Sequence, residues 1–348
     1  MEHAEIKELV GRVTNFVLNN TLERDVWEKS IALTAILTWN DPDAVAKGEA
    51  IIARSVASQN SDGNLNYADT VDGLPGHIKT FTPIASLTSS LARPLVEYYQ
   101  RTKNPAYLEA ADLQMEALIN SPRTSGGGFW SRGEGPELWI DMVYLMTPFL
   151  VSYGQLKDDP SYLEEAVLQH RVAVERLVDP FTGLSRHAWC EVPNHYPQST
   201  FWARGNGWLT AVTVDLLEMM GPHPAREFIE ETGMRALREM SKYQDRSGFF
   251  RHIIDGPGSK KEASATLIYA YSVAKAVRLG LLEESWLDSA WRAFNVVAGS
   301  VEDSGIVPGV AIPPGGPGVP FAWSPFGQGF FILAAHELLG LAGEKATS

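Results

Sequence analysis

Asp141 is the residue in this chain whose type and setting point most directly to chemistry. It is the lone carboxylate in the run Leu138-Trp139-Ile140-Asp141-Met142-Val143-Tyr144-Leu145-Met146, behind a glycine-rich turn, Gly126-Gly127-Gly128-Phe129-Trp130. The pattern predicts an apolar helix with Pro136 in its first turn, where a missing N–H costs nothing, and with Asp141 about one turn in. A carboxyl left unpaired in apolar surroundings favours its protonated form. That is the form a general acid needs. The same aspartate also fits a structural role, capping or hydrogen-bonding a neighbouring loop.

Two further stretches carry functional side chains. One is Arg186-His187-Ala188-Trp189, just after Gly183. The other is Ser199-Thr200-Phe201-Trp202-Ala203-Arg204-Gly205-Asn206-Gly207-Trp208. Two glycines at a helix start cost about 1 kcal/mol each relative to alanine, so a ligand or a neighbouring helix must come close there. Arg204 offers a planar fork to a carboxylate, and Trp208, one turn on, a stacking face. In the structural alternative, Arg204 pairs with a helix end and Trp208 is core. His187 taken alone reads as a hydrogen-bonded structural histidine.

The composition narrows the function. The chain has 348 residues, 45% of them hydrophobic and 20% charged, which is ordinary for a globular protein. At this length it forms either two domains or one large closed architecture. Ten tryptophans and eleven tyrosines are more than a core requires, and such rings stack well on sugar faces. A net charge of −13 argues against nucleic acid or an anionic membrane as partner. One cysteine, Cys190, leaves no internal disulfide and no cysteine metal cluster. No His/Asp/Glu group has metal-ligand spacing, and no cofactor is expected. The charged N-terminus lacks a signal-peptide pattern, and no run of about 18 apolar residues stands out, so a cytoplasmic setting is expected.

Helical periodicity dominates. Apolar residues recur at spacings of three and four from Ile6 to Val17, and similar patterns predict about a dozen helices. Asp41-Pro42, Asn104-Pro105 and Asp159-Pro160 read as helix starts. A short signature recurs between alternate helices, centred on Gly63, Gly127, Gly183, Gly248 and Gly305, each followed by apolar residues. This spacing fits repeated helical hairpins. Five turns and a closing C-terminal segment make six hairpins, which predicts an all-α (α/α)6 barrel spanning residues 1–348 as a single domain. Its glycine turns gather at one end, over the mouths of the inner helices, where a pocket would form. The segments 58–82 and 308–323 are loops expected to set specificity.

At this point the sequence resembles a known family. Ser121-Pro122-Arg123-Thr124-Ser125-Gly126-Gly127-Gly128-Phe129-Trp130 and Leu138-Trp139-Ile140-Asp141-Met142-Val143-Tyr144-Leu145-Met146-Thr147-Pro148-Phe149 are similar to blocks of the unsaturated rhamnogalacturonyl hydrolases, glycoside hydrolase family 105. The related unsaturated glucuronyl hydrolases form family 88. Trp202-Ala203-Arg204-Gly205-Asn206-Gly207-Trp208 and Lys261-Glu262-Ala263-Ser264-Ala265-Thr266 match two more blocks in order. The resemblance covers about Arg93 to the C-terminus and implies an (α/α)6 barrel. It also implies Asp141 as general acid/base with His187 beside it, and Trp139, Arg204 and Trp208 lining the sugar site, with Trp189 a further candidate. The implied reaction hydrates the C4=C5 double bond that a polysaccharide lyase leaves on a terminal uronate, and the hydrated sugar then expels its aglycone. The implied partner is an oligosaccharide ending in that sugar, handled by a monomer or weak homodimer. Arg186 is a candidate for the uronate carboxylate.

The sequence also departs from the family. The family's second aspartate is missing from Ile84-Ala85-Ser86-Leu87-Thr88-Ser89-Ser90-Leu91-Ala92-Arg93, and Ser131 stands where a histidine is common. Asp69, Asp72, His77 and Lys79 in the preceding loop are expected to supply the missing contacts. Two rival readings remain. A glycosidase acting on saturated sugars would need a second acid, such as Glu262, Glu191 or Asp72, facing Asp141. A binding protein would keep the aromatic pocket without turnover.

Overall fold

Apolar patterning becomes twelve helices in the computed structural model, which describes residues 1–21, 26–65, 81–313 and 318–347. They are α1 (His3–Asn20), α2 (Val26–Trp39), α3 (Pro42–Ala57), α4 (Ala85–Thr102), α5 (Pro105–Ile119), α6 (Asp141–Lys157), α7 (Ser161–Leu177), α8 (Ala203–Met219), α9 (Arg226–Ser241), α10 (Ala263–Arg278), α11 (Leu287–Ala298) and α12 (Pro325–Thr347). Asp41 caps α3 by accepting from the Ala44 N–H at 2.9 Å, and Asn104 caps α5 through Ala106 at 3.1 Å. Each cap is worth about 1 kcal/mol.

The even-numbered helices form a closed ring, each packed on the next and α12 returning to α2, with the odd-numbered helices outside. This is the (α/α)6 toroid that the repeats predicted. Burial accounts for the two helix types. Every residue of α8 from Ala203 to Leu217 is buried, whereas α11 buries only a stripe, including Leu287, Ala290, Phe294 and Val297. A helix wrapped on all sides has no polar face to preserve. For this reason α12 corrects the expectation that no long apolar run exists. Its segment Pro325–Gly343 is apolar enough to cross a membrane by length and composition, but 67% of it is buried in the ring.

All five signature glycines have positive φ, from 81° at Gly183 to 102° at Gly248. At four of these five turns, Gly127 excepted, a side chain would also strike the next outer helix. A Cβ on Gly63 would lie 2.6 Å from the Leu113 carbonyl of α5, and one on Gly248 2.6 Å from that of Arg292 in α11. At Gly305 it would meet Arg12 of α1, so the last turn returns to the first helix. Side-chain amides then pin the extended residues that follow. Gln114, Gln169, Asn206 and Gln328 accept from the backbone of Leu65, Phe129, Ser185 and Val307 at 2.7–2.9 Å.

His170 of α7 makes acid stability testable. It is fully buried against Phe228 of α9, with no hydrogen-bond partner on either ring nitrogen. Burial pushes its pKa down from 6.5 to about 4, with Arg171 adding to the effect. Below pH 6.5 the unfolded chain therefore takes up a proton that the folded chain refuses, and stability falls as pH drops towards 4. Between pH 7 and pH 5 this costs about 2 kcal/mol. His170→Leu is expected to flatten that part of the profile in urea unfolding.

Candidate active site

The mouth of the ring is ordered by three short strands that sequence periodicity does not reveal. They are β1 (Glu137–Trp139), β2 (Ala188–Cys190) and β3 (His195–Gln198), in that order in one antiparallel sheet. Trp139 pairs with Ala188, and the Ile140 N–H donates to the His187 carbonyl at 3.0 Å. This ladder corrects the expected helix start. Pro136 precedes a strand, and Asp141 is the first residue of α6 rather than one turn inside it. The inner helices α4, α6, α8, α10 and α12 all begin at this end of the ring, so their positive dipole ends face the mouth. An anion is favoured there in spite of the acidic chain as a whole.

The same ladder brings Asp141 to His187, 46 positions apart in sequence. Asp141 Oδ2 lies 3.1 Å from His187 Nε2, with side chains 15% and 4% exposed. Oδ2 is itself buried and has no aligned hydrogen-bond partner in the protein, which leaves His187 as its neighbour. On its other side, His187 Nδ1 lies 2.5 Å from Gln198 Oε1 on β3. With Nδ1–H donated to that oxygen, Nε2 turns its lone pair to Asp141. A carboxyl and an imidazole so placed can deliver a proton and take one back.

Aromatic groups frame the pair. Trp139 is half-buried, its indole N–H donating to Glu137 Oε2 at 2.8 Å and its ring 5.0 Å from Phe81. Glu137 is held in turn by Arg132 at 2.5 Å. Trp202 lies 4.4 Å from the His187 ring, and its indole nitrogen has no partner. Sequence reasoning quoted Trp202 within its motif but assigned it no role, and it missed Gln198 and Glu137. No local signal marks either one, because both act through strand pairing.

The other candidates separate. Arg204 is 1% exposed, stacks 4.3 Å from Trp202, donates to the Ala311 carbonyl at 2.6 Å and lies 3.8 Å from Glu262. Burial lowers its pKa, and Glu262 and Asp141 oppose that shift. It supports the pocket wall from behind. Trp208 is fully buried between Tyr144 and Phe330, so it presents no face to a sugar and forms the packing under the floor. Trp189 is also displaced from its expected place. On β2 it pairs with Leu138 of β1, and neighbouring strand residues face opposite ways, so it points away from Trp139 and under Arg176. Arg186 pairs with Asp179 at 2.9 Å and covers Tyr196, so it serves the α7–α8 turn. Asp69, Asp72, His77 and Lys79 lie outside the described residues. Gly205 and Gly207 admit neighbouring side chains, since added Cβ atoms would meet Ile140 and Ile268 at 2.9 Å.

In the segment that lacks the family's second aspartate, and at the position where its histidine is common, hydroxyls do structural work. Ser86 donates to the Trp130 carbonyl at 2.7 Å, and Ser131 accepts from the Trp139 N–H at 2.8 Å. The described rival acids are also engaged. Glu262 caps α10 through Ala265 at 2.6 Å and accepts from Ser264 and Ala311, while Glu191 accepts from the Ser125 N–H at 3.0 Å and from its hydroxyl.

Comparison with known proteins now bears on this site. The sequence profile of Glycosyl Hydrolase Family 88 matches residues 9–342. The chain belongs to that family. It is 26% identical over 216 residues to the unsaturated rhamnogalacturonyl hydrolase YesR of Bacillus subtilis, covering 60% of this chain and 61% of the relative. It is likewise 26% identical over 220 residues to an unsaturated 3S-rhamnoglycuronyl hydrolase of Formosa agariphila, covering 58% of each chain. These alignments therefore span about three fifths of the relatives' length. Among solved structures, a possible GH105 member from Salmonella enterica superposes with TM-score 0.85 at 26% identity, covering 98% of this chain and 95% of that one. The unsaturated glucuronyl hydrolase of Bacillus sp. GL1 shares the fold, with TM-score 0.72 at 15% identity over 97% of this chain and 96% of its own.

Within this family 88 chain, Gln198→Leu should lower kcat by about tenfold. It removes one hydrogen bond to His187 and leaves Nδ1–H unpaired in a buried setting. The acid limb of the pH–rate profile should move with it, which a purely structural role for Gln198 would not cause.

Proposed function

We propose that this family 88 chain removes the terminal Δ4,5-unsaturated uronate from lyase-generated oligosaccharides of rhamnogalacturonan type, by hydrating the C4=C5 bond. The observation that carries this reading is the Asp141–His187–Gln198 array standing without a free second carboxylate among the described candidates. Ordinary glycoside hydrolysis needs two carboxyl groups flanking the bond. A vinyl ether needs one proton donor and one water. Asp141 gives its proton to C4 as the double bond's electrons move to form that C–H bond, and positive charge spreads over C5 and the ring oxygen. Water adds at C5, losing a proton to Asp141, with His187 placed to share it. The resulting C5 hemiketal opens by breaking the bond between C5 and the ring oxygen. C1 is then a hemiacetal, which expels the aglycone alcohol. Atoms balance with one water consumed, and Asp141 ends protonated.

Half-buried Trp139 supplies an apolar wall for the sugar, Trp202 backs the His187 ring from within the core, and the helix N-termini favour the sugar's carboxylate. The test is the ultraviolet absorbance of the conjugated double bond in unsaturated rhamnogalacturonan and glucuronan oligomers, run beside saturated chromogenic glycosides. Decay of the absorbance with the saturated compounds untouched is expected. Cleavage of the saturated glycosides alone would overturn the reading.

A further inference from the structure

Behind the buried Trp202, packed rings lead to groups that the proposed chemistry leaves unused. Two hairpins stand side by side there. One is formed by β4 (Phe250–Arg251) and β5 (Lys261–Glu262), the other by β6 (Val310–Ala311) and β7 (Phe321–Ala322). They are tied together by the Ala311 N–H, which donates to Glu262 at 2.8 Å. His252 links this wall to the site. Its carbonyl accepts from the Ala203 N–H at 2.9 Å, and its own N–H donates to the Lys260 carbonyl at 2.7 Å. Its ring lies 6.4 Å from Trp202 and 5.5 Å, edge to face, from Phe321. Lys260 Nζ lies 5.3 Å from the centre of the Phe321 ring. Packing contacts through the buried rings of His187, Trp202 and His252 thus tie the site at Asp141 to Phe321 and Lys260 at the surface.

The charges on this wall are unequal in their pairing. Arg251 and Lys261 both face Asp245, at 3.4 and 3.1 Å, and Arg204 faces Glu262. Lys260 is exposed and forms no ion pair among the described residues. It is instead stacked on Phe321, whose ring is half-exposed. An aromatic face beside an unpaired ammonium matches an acidic sugar, with the ring packing on the aromatic and the carboxylate meeting the cation.

We infer that Phe321 and Lys260 form an aglycone subsite for a second, acid-bearing sugar beyond the bond that is broken. The subsite rests on the proposed function, which puts the unsaturated sugar at Asp141. It makes the chain prefer longer oligosaccharides with a downstream uronate to an unsaturated disaccharide with a neutral aglycone. The test compares kcat/KM on these two substrates for wild type, Lys260→Gln and Phe321→Ala. Wild type should favour the acidic, longer substrate. The ratio between the two should fall about tenfold in Lys260→Gln, through KM, and salt should erode it in wild type alone. A ratio that survives both substitutions would overturn the inference. If wild type turns over neither substrate, the proposed function fails separately, and calorimetric titration with a saturated uronate-containing oligosaccharide decides the subsite. Weaker binding by Lys260→Gln supports it, and equal binding overturns it.

Discussion

Asp141→Asn should lower turnover of an unsaturated oligosaccharide about a thousandfold without unfolding the chain. General acid catalysis is worth about 10²–10⁴-fold, and in the proposed reaction one group both gives the proton to C4 and takes one from water. The amide keeps the carboxyl's shape at the start of α6 and can still lie against His187 Nε2, but it carries no transferable acid proton. Asp141 Oδ2 accepts no aligned hydrogen bond from the protein, so the substitution leaves no donor stranded. Initial rates and the thermal midpoint, measured on the same preparation, separate lost chemistry from lost folding. A large drop in rate with the midpoint held is the expected result. A residual rate within tenfold of wild type would remove Asp141 from the role.

The largest stability effect is expected at the other end of the ring, for Asp215→Ala. Asp215 of α8 is fully buried and binds Arg93 of α4 at 2.8 Å, Lys275 of α10 at 2.8 Å, and the Tyr271 hydroxyl. Burial alone would raise its pKa, but Lys275 and Arg93 outweigh that and hold it down at about 2. Its share of stability is therefore present above pH 3.8 and lost only as pH falls through about 2. Removing the carboxylate takes away the ion-pair partner of Arg93, whose Nη1 already lacks a partner, and leaves Lys275 with Glu218 as its ion-pair partner at 2.7 Å. Breaking a buried ion pair from one side costs about 3–5 kcal/mol. The urea midpoint at neutral pH should fall accordingly, and activity per folded molecule should hold, because this cluster lies toward the opposite ends of the same inner helices. A shift below about 1 kcal/mol would mean that water already screens the cluster.

Most of the fold was legible because its rules are local. Helix periods placed all twelve helices, and the glycines that must take positive φ marked five of the six hairpin joints. Ring closure followed from their repetition. The site was legible only in part. Asp141 and His187 stood out by type, but the three-residue strands that join them carry no period, so Pro136 was read into a helix and Gln198 was missed. The tryptophans were the hardest to sort. Composition says that there are many, but strand alternation turns Trp189 away, ring packing buries Trp208, and Trp202 takes the place beside His187. Arg204 was read as a fork for a ligand, and the structure gives that fork to Glu262 and the Ala311 carbonyl.

The measurement closest to the central claim is nuclear magnetic resonance of the early product formed in D₂O from an unsaturated oligosaccharide. Protonation at C4 by one carboxyl on one face predicts a single deuterium at C4, in one configuration, appearing at the rate at which the aglycone is freed. Free aglycone alongside an intact double bond, or deuterium on both faces of C4 from the start, would contradict the account.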